Sequence, residues 1–111
     1  MPKVEVREQA IKAFNGKNAE GDITGGSVFA VGLQIQWQDG PPGRPPKEPN
    51  GAFVETVLYA ALQRLQAYQS VPKFACRENA LAITHLEESI HWLLARRAER
   101  EAREVMGTMQ P

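Results

Sequence analysis

Arg96, Arg97, Arg100 and Arg103 place four guanidinium groups within one eight-residue stretch. A planar guanidinium grips phosphate through two parallel N–H bonds, so this pattern suits an anionic ligand such as a pyrophosphate. The same stretch has a blander reading as a solvated ion-pair face. Arg97–Glu101, Arg100–Glu104 and Glu99–Arg103 all stand at i,i+4, and cations near a helix C-terminus complement its dipole. Farther back, Tyr68 and Phe74 offer rings that can stack on a base. Asn79 offers an amide matched to an adenine edge. Tyr68 and Phe74 also have the ordinary reading of core residues.

Catalytic and metal chemistry find less support. Glu88 and His91 form a Glu-x-x-His pair, half of a di-iron helical site, but the second pair and its extra carboxylates are missing. Glu87 and Glu88 would need an acidic pair on a neighbouring helix to hold magnesium, and the first helix supplies only Glu55. His85 and His91 project in different directions. Cys76 near a helix start stands where reactive thiols occur, yet no His or Asp at suggestive positions accompanies it; its plain reading is a small buried residue supporting a turn. A lone cysteine excludes an intramolecular disulfide and an all-cysteine zinc site in one chain. There is no Gly-rich phosphate loop. The expectation is a non-enzyme without metal or cofactor.

Two helices must position these groups. From Ala80 to Arg103 the chain has neither Gly nor Pro, and Ile83, Leu86, Ile90 and Leu93 form one apolar stripe. Continued backwards the stripe reaches Asn79; continued forwards it reaches Arg97 and Arg100, so at least one of these arginines is expected to face protein. A first helix is expected from about Ala52 to Gln69, capped by Asn50, with Val54, Leu58, Ala61, Leu65 and Tyr68 as its stripe. Ser70-Val71-Pro72-Lys73 breaks it, and the next helix must fold back as a hairpin. In an antiparallel dimer, one chain's Arg end would meet the other's Asn79 end.

Before the helices the pattern is that of a small sheet. Lys3 to Arg7 alternates like a strand, and Glu8 to Phe14 reads as a helical turn or a continuing edge strand. Asn15-Gly16 and Glu20-Gly21-Asp22 are turn chemistry. Ser27 to Gln38 reads as the clearest strand, with Leu33, Ile35 and Trp37 alternating against Gln34, Gln36 and Gln38. Between Asp39 and Gly51 stand five prolines and three glycines, a stiff extended loop. The predicted class is α+β: a small N-terminal antiparallel sheet (1–40), a Pro/Gly loop (41–51), a helical hairpin (52–106) and a tail (107–111), as one domain of 111 residues.

So little core favours a dimer or larger assembly. Thirteen basic and thirteen acidic residues cancel, which argues against a global grip on DNA or an anionic membrane. No apolar run follows Met1-Pro2-Lys3 and no segment has membrane-spanning length, so a soluble cytosolic chain is expected.

Cys76-Arg77-Glu78-Asn79, Leu81-Ala82-Ile83, Leu86-Glu87-Glu88, Trp92-Leu93, Arg97, Arg100 and Gly107-Thr108, in that order, resemble the phage Thoeris anti-defence type-one family. Trp37-Gln38-Asp39-Gly40-Pro41 and Asn50-Gly51 resemble its sheet-to-helix region, so the likeness covers roughly 27–111. The hairpin is similar to one shared with the anti-CBASS type-two sponges. The resemblance implies a phage protein acting in the cytoplasm of the infected host. It would bind cyclic ADP-ribose isomers made by TIR enzymes (gcADPR) and sequester them uncleaved. It further implies dimers, and in some members hexamers built as trimers of dimers, with ligand sites between subunits. Hexameric relatives also hold cyclic di- or trinucleotides. Carried over by position, the ligand contacts are Arg77, Asn79, Arg96 and Arg100, with Tyr68 or Phe74 stacking and Arg103, Gly107 and Thr108 closing the pocket. Two departures touch its rim: a longer, proline-rich loop from Gly40 to Pro49, and Met109 where the family often has histidine. The competing readings are a cyclic-oligonucleotide sponge, a non-catalytic oligomerisation module and, last, a metal-dependent nucleotide hydrolase.

Overall fold

The structure is a computed structural model describing residues 4–6, 9–40 and 49–109, with side chains described over 9–40 and 49–103. Contacts cluster into two compact units, Met1–Val54 and Glu55–Pro111.

The first unit is an antiparallel meander of β1 (Val4–Val6), β2 (Gln9–Lys17), β3 (Ile23–Ala30) and β4 (Leu33–Gln36), in that spatial order. Of the stretch expected from Glu8 to Phe14, the described part, Gln9 to Phe14, takes the strand alternative, and β2 lies inside the sheet because β1 and β3 flank it. The register aligns Ala13, Val28 and Ile35 across β2, β3 and β4 on one face, where Ile35 is buried and the other two half-buried. Pleating sends Lys12, Phe29 and Gln34 to the opposite, exposed face. Asn18 closes the β2–β3 connection, its side-chain oxygen accepting from the Glu20 and Asp22 amides at 3.0 Å.

Three local expectations need correction. Ser27 to Gln38 is not one strand. Its Val31-Gly32 pair is a two-residue hairpin loop, with Gly32 at φ 77 and Ala30 paired to Leu33. Asn15-Gly16 is not a turn but a bulge inside β2, opposite Gly26, whose φ of 111 and closeness to the Phe14 carbonyl exclude any Cβ. Asn50 does not cap the first helix. Its Oδ1 accepts from the Asp39 amide at 2.8 Å and its Nδ2 donates to the Asp39 carbonyl at 3.1 Å. Gln38 Oε1 in turn accepts from the Asn50 and Gly51 amides. The chain then runs beside β4's end, where Trp37 and Ala52 form a parallel bridge. These bonds tie together the two ends of the proline-rich loop, most of which (41–48) lies outside the described residues.

The second unit is α1 (Val54–Gln69) and α2 (Arg77–Met109). α1 ends where Ser70 and Val71 close tight bonds to Ala67 and Tyr68, and Pro72 follows. The Cys76 carbonyl accepts the first bond of α2 from Ala80, and the Cys76 amide is satisfied by Gln69 Oε1 at 2.9 Å. Leu62 and Ile90, at 7% and 4% exposure, are the buried side chains where the helices fold back on each other. The inward face of α2 is as the periodicity predicts: Asn79, Ala82, Ile83, Leu86 and Leu93 half-buried around Ile90. That of α1 is rotated. Glu55, Leu58, Leu62, Leu65 and Gln69 turn inward, while Val54, Ala61 and Tyr68 are exposed. The i,i+4 spacing fits two adjacent faces, and packing against α2 selects the one centred on Leu62. α2 also continues to Met109, beyond the helix end expected at 106, so Gly107 and Thr108 belong to its backbone.

Candidate functional site

The hairpin concentrates its chemistry at two ends. At the turn, Tyr68 and Phe74 meet edge to face, ring centroids 6.2 Å apart at 71°, and both stay accessible, at 42% and 51% exposure. They are not core residues within one chain. Each ring carries a cation: Arg64 Cζ lies 5.9 Å from the Tyr68 centroid and Lys73 Nζ lies 5.1 Å from that of Phe74. Asn79, half-buried on the inward face of α2, donates from Nδ2 to the Phe74 carbonyl at 3.2 Å. One amide donor is thereby spent on shaping the turn, and Oδ1 stays available to a ligand. Arg77 is exposed beside it, but residues two apart on a helix do not share a face. Cys76, expected to be a buried turn residue, is exposed.

The other end is the arginine cluster. Arg96, Arg97, Arg100 and Arg103 are all exposed, so Arg100 is not buried against protein in the single chain. Beyond Leu93 every residue of α2 through Arg103 is exposed, so the half-buried stripe stops there. Arg97 Nε bonds Glu101 Oε1 at 3.0 Å, and Arg103 Nε stands 3.7 Å from Glu99 Oε1, as the spacing predicts. The expected partner of Arg100, Glu104, has its side chain outside the described residues, as do Gly107 and Thr108.

Helical rise separates the two ends. From Asn79 to Arg100 along α2 is about 30 Å at 1.5 Å per residue. The fold brings Tyr68, Phe74 and Asn79 together with Arg77 nearby, and Arg96, Arg100 and Arg103 together elsewhere. It does not bring the two groups together in one chain.

Between the ends lies a groove of 280 Å³ lined by Tyr59, Leu62, Glu87, Ile90, His91 and Leu94. Trp92 beside it is 71% exposed and meets His91 edge to face at 5.5 Å. Glu88 faces His85 at 3.8 Å. Among the described residues, no group of three or more His, Cys, Asp and Glu side chains is placed to hold a metal, and no helix is long and apolar enough to cross a membrane. Sequence reasoning missed Arg64 and Lys73. Arg64 had a signal, standing four residues before Tyr68 on one helix. Lys73 had none, since the turn alone sets its position.

The family described as Acb2/Tad1, hairpin domain, matches residues 30–98, which take in β4, α1 and most of α2. A protein of Bacillus phage SBSphiJ7 named Thoeris anti-defense 1 is 51% identical over 59 residues, which is 53% of this chain and 41% of the relative. The matched part thus spans less than half of that relative. Tyr68, Phe74, Arg77, Asn79 and Arg96 fall within the family match; Arg100, Arg103, Gly107 and Thr108 lie beyond it.

Proposed function

The chain belongs to the Acb2/Tad1 hairpin-domain family, and from that premise we propose that it is a phage anti-defence sponge for cyclic ADP-ribose-type signals. It binds the signal whole and withholds it from the host's Thoeris effector, without cleaving it. The observation that carries this reading is the 51% identity to a protein named for Thoeris anti-defence. The hairpin's chemistry supports it. Tyr68 or Phe74 stacks on the adenine and Asn79 Oδ1 accepts from its exocyclic amine. Arg96, Arg100 and Arg103 take the pyrophosphate, with Arg77 at the turn end and Gly107 and Thr108 closing the pocket.

These groups act together only between two chains. An antiparallel pair of α2 helices that sets Asn79 of one protomer against Arg100 of the other crosses near Ile90, beside the groove of Tyr59 and His91. Exposed Trp92 and Leu94 lie there too and give such a pair apolar surface to bury. Assembly of these dimers into hexamers is a further step of the same proposal.

The test is calorimetric titration with cyclic ADP-ribose isomers, followed by heating and chromatography of the released ligand. Tight binding with intact recovery is expected. No heat with any isomer rejects the reading. Metal-dependent loss of the ligand, abolished by Glu87→Gln or Glu88→Gln, would make the protein a hydrolase instead. Cyclic di- and trinucleotides run in parallel establish whether they bind as well.

A further inference from the structure

Arg64 and Lys73 are cations that the stacking role of Tyr68 and Phe74 does not account for. Each rests on an accessible aromatic ring, and no carboxylate among the described residues lies within 4.0 Å of either. A cation on a solvent-exposed ring is held weakly, and a planar base competes for that same ring face. The chemistry of the incoming molecule decides where the cation goes. A neutral base displaces it into water. A base that carries phosphate brings its own acceptor for the displaced charge, and a charge-assisted bond to phosphate is much stronger than the ring contact it replaces.

We propose that Arg64 and Lys73 are specificity-determining residues that exchange the faces of Tyr68 and Phe74 for the phosphates of the stacked nucleotide, so that the turn end selects phosphorylated purines over neutral ones. This rests on the reading of Tyr68 and Phe74 as the stacking pair. It adds a second set of phosphate contacts, on the same chain as the base platform, to the arginines of the partner helix.

The test compares wild type with the double variant Arg64→Gln/Lys73→Gln, using the cyclic ADP-ribose isomer that binds wild type most tightly and adenosine as a neutral probe. Expected is a loss of at least about tenfold for the cyclic ADP-ribose, the scale of one charge-assisted bond. Its salt dependence should become shallower, while adenosine binds as well as or better than before. Lys73→Arg should keep wild-type behaviour. Equal losses for both probes would mean that the cations merely shape the turn, and unchanged affinity for the nucleotide would mean that they stay on the rings; either overturns the inference while leaving the sponge intact. A wild-type protein that binds no cyclic ADP-ribose overturns the sponge reading and this inference with it. Thermal unfolding of the variant, expected to match wild type, excludes misfolding as the cause.

Discussion

The two ends of the hairpin carry the same excess of positive charge and use it differently. Residues 64–79 hold Arg64, Lys73 and Arg77 against Glu78; residues 96–103 hold Arg96, Arg97, Arg100 and Arg103 against Glu99 and Glu101. Along the uninterrupted α2 every fourth position faces its neighbour, so Arg97 and Arg103 find Glu101 and Glu99 without any tertiary help. Toward the turn the partners are aromatic instead: Arg64 meets Tyr68 by the same i,i+4 spacing on α1, and Lys73, where that spacing is broken, settles on Phe74. The cluster that stands out in the sequence is therefore the partly neutralised one. The scattered cations at the turn hold the less committed charge.

If the two ends make one site only between protomers, each can be broken in a different chain and repaired by mixing. Tyr68→Ala/Phe74→Ala and Arg96→Ala/Arg100→Ala should each abolish tight binding alone. After exchange in an equimolar mixture, roughly a quarter of the wild-type sites should return, since half the dimers are mixed and each has one intact site. Titration stoichiometry reads this directly, and no recovery would break the two-chain arrangement.

The next effect is that of one arginine. Arg100→Ala should weaken binding by about 1.5–3 kcal/mol, the loss of one charge-assisted bond, and wild-type affinity in that variant would remove Arg100 from the site. It is a cleaner probe than Asn79→Ala, because Asn79 also holds the Phe74 carbonyl. Smallest is the effect of the paired cations. Glu101→Gln removes the exposed Arg97–Glu101 ion pair and should change unfolding free energy by less than about 1 kcal/mol. A larger shift in thermal unfolding would show that the C-terminal ion pairs are structural rather than a solvated face.

Much of this was legible in the residues. The stripe through Ile83, Leu86, Ile90 and Leu93 and the break at Ser70–Lys73 follow from helical period and proline chemistry. The resemblance carried by Cys76 to Asn79 and the residues after it agrees with the family and the relative that the chain matches. The misreadings share a cause. Ser27 to Gln38 slips phase at Val31-Gly32, where the pairing puts Val28 and Ile35 on one face, but the all-apolar run Val28 to Val31 hides the change in the sequence. Asn50 has the residue type of a cap, yet it bonds Asp39, eleven positions earlier, and no local rule reaches that far.

By itself the sequence determined the two helices, the inward face of α2 through Leu93, the Arg97–Glu101 and Glu99–Arg103 pairs and the family, since each depends on spacing within one element or on a continuous run of residues. Tertiary structure alone decided which face of α1 turns inward, where the strand folds on Gly32, and that Lys73 lies over Phe74. Those outcomes depend on packing partners and on backbone angles at single glycines and turns, which bring together residues whose separation along the chain carries no signal.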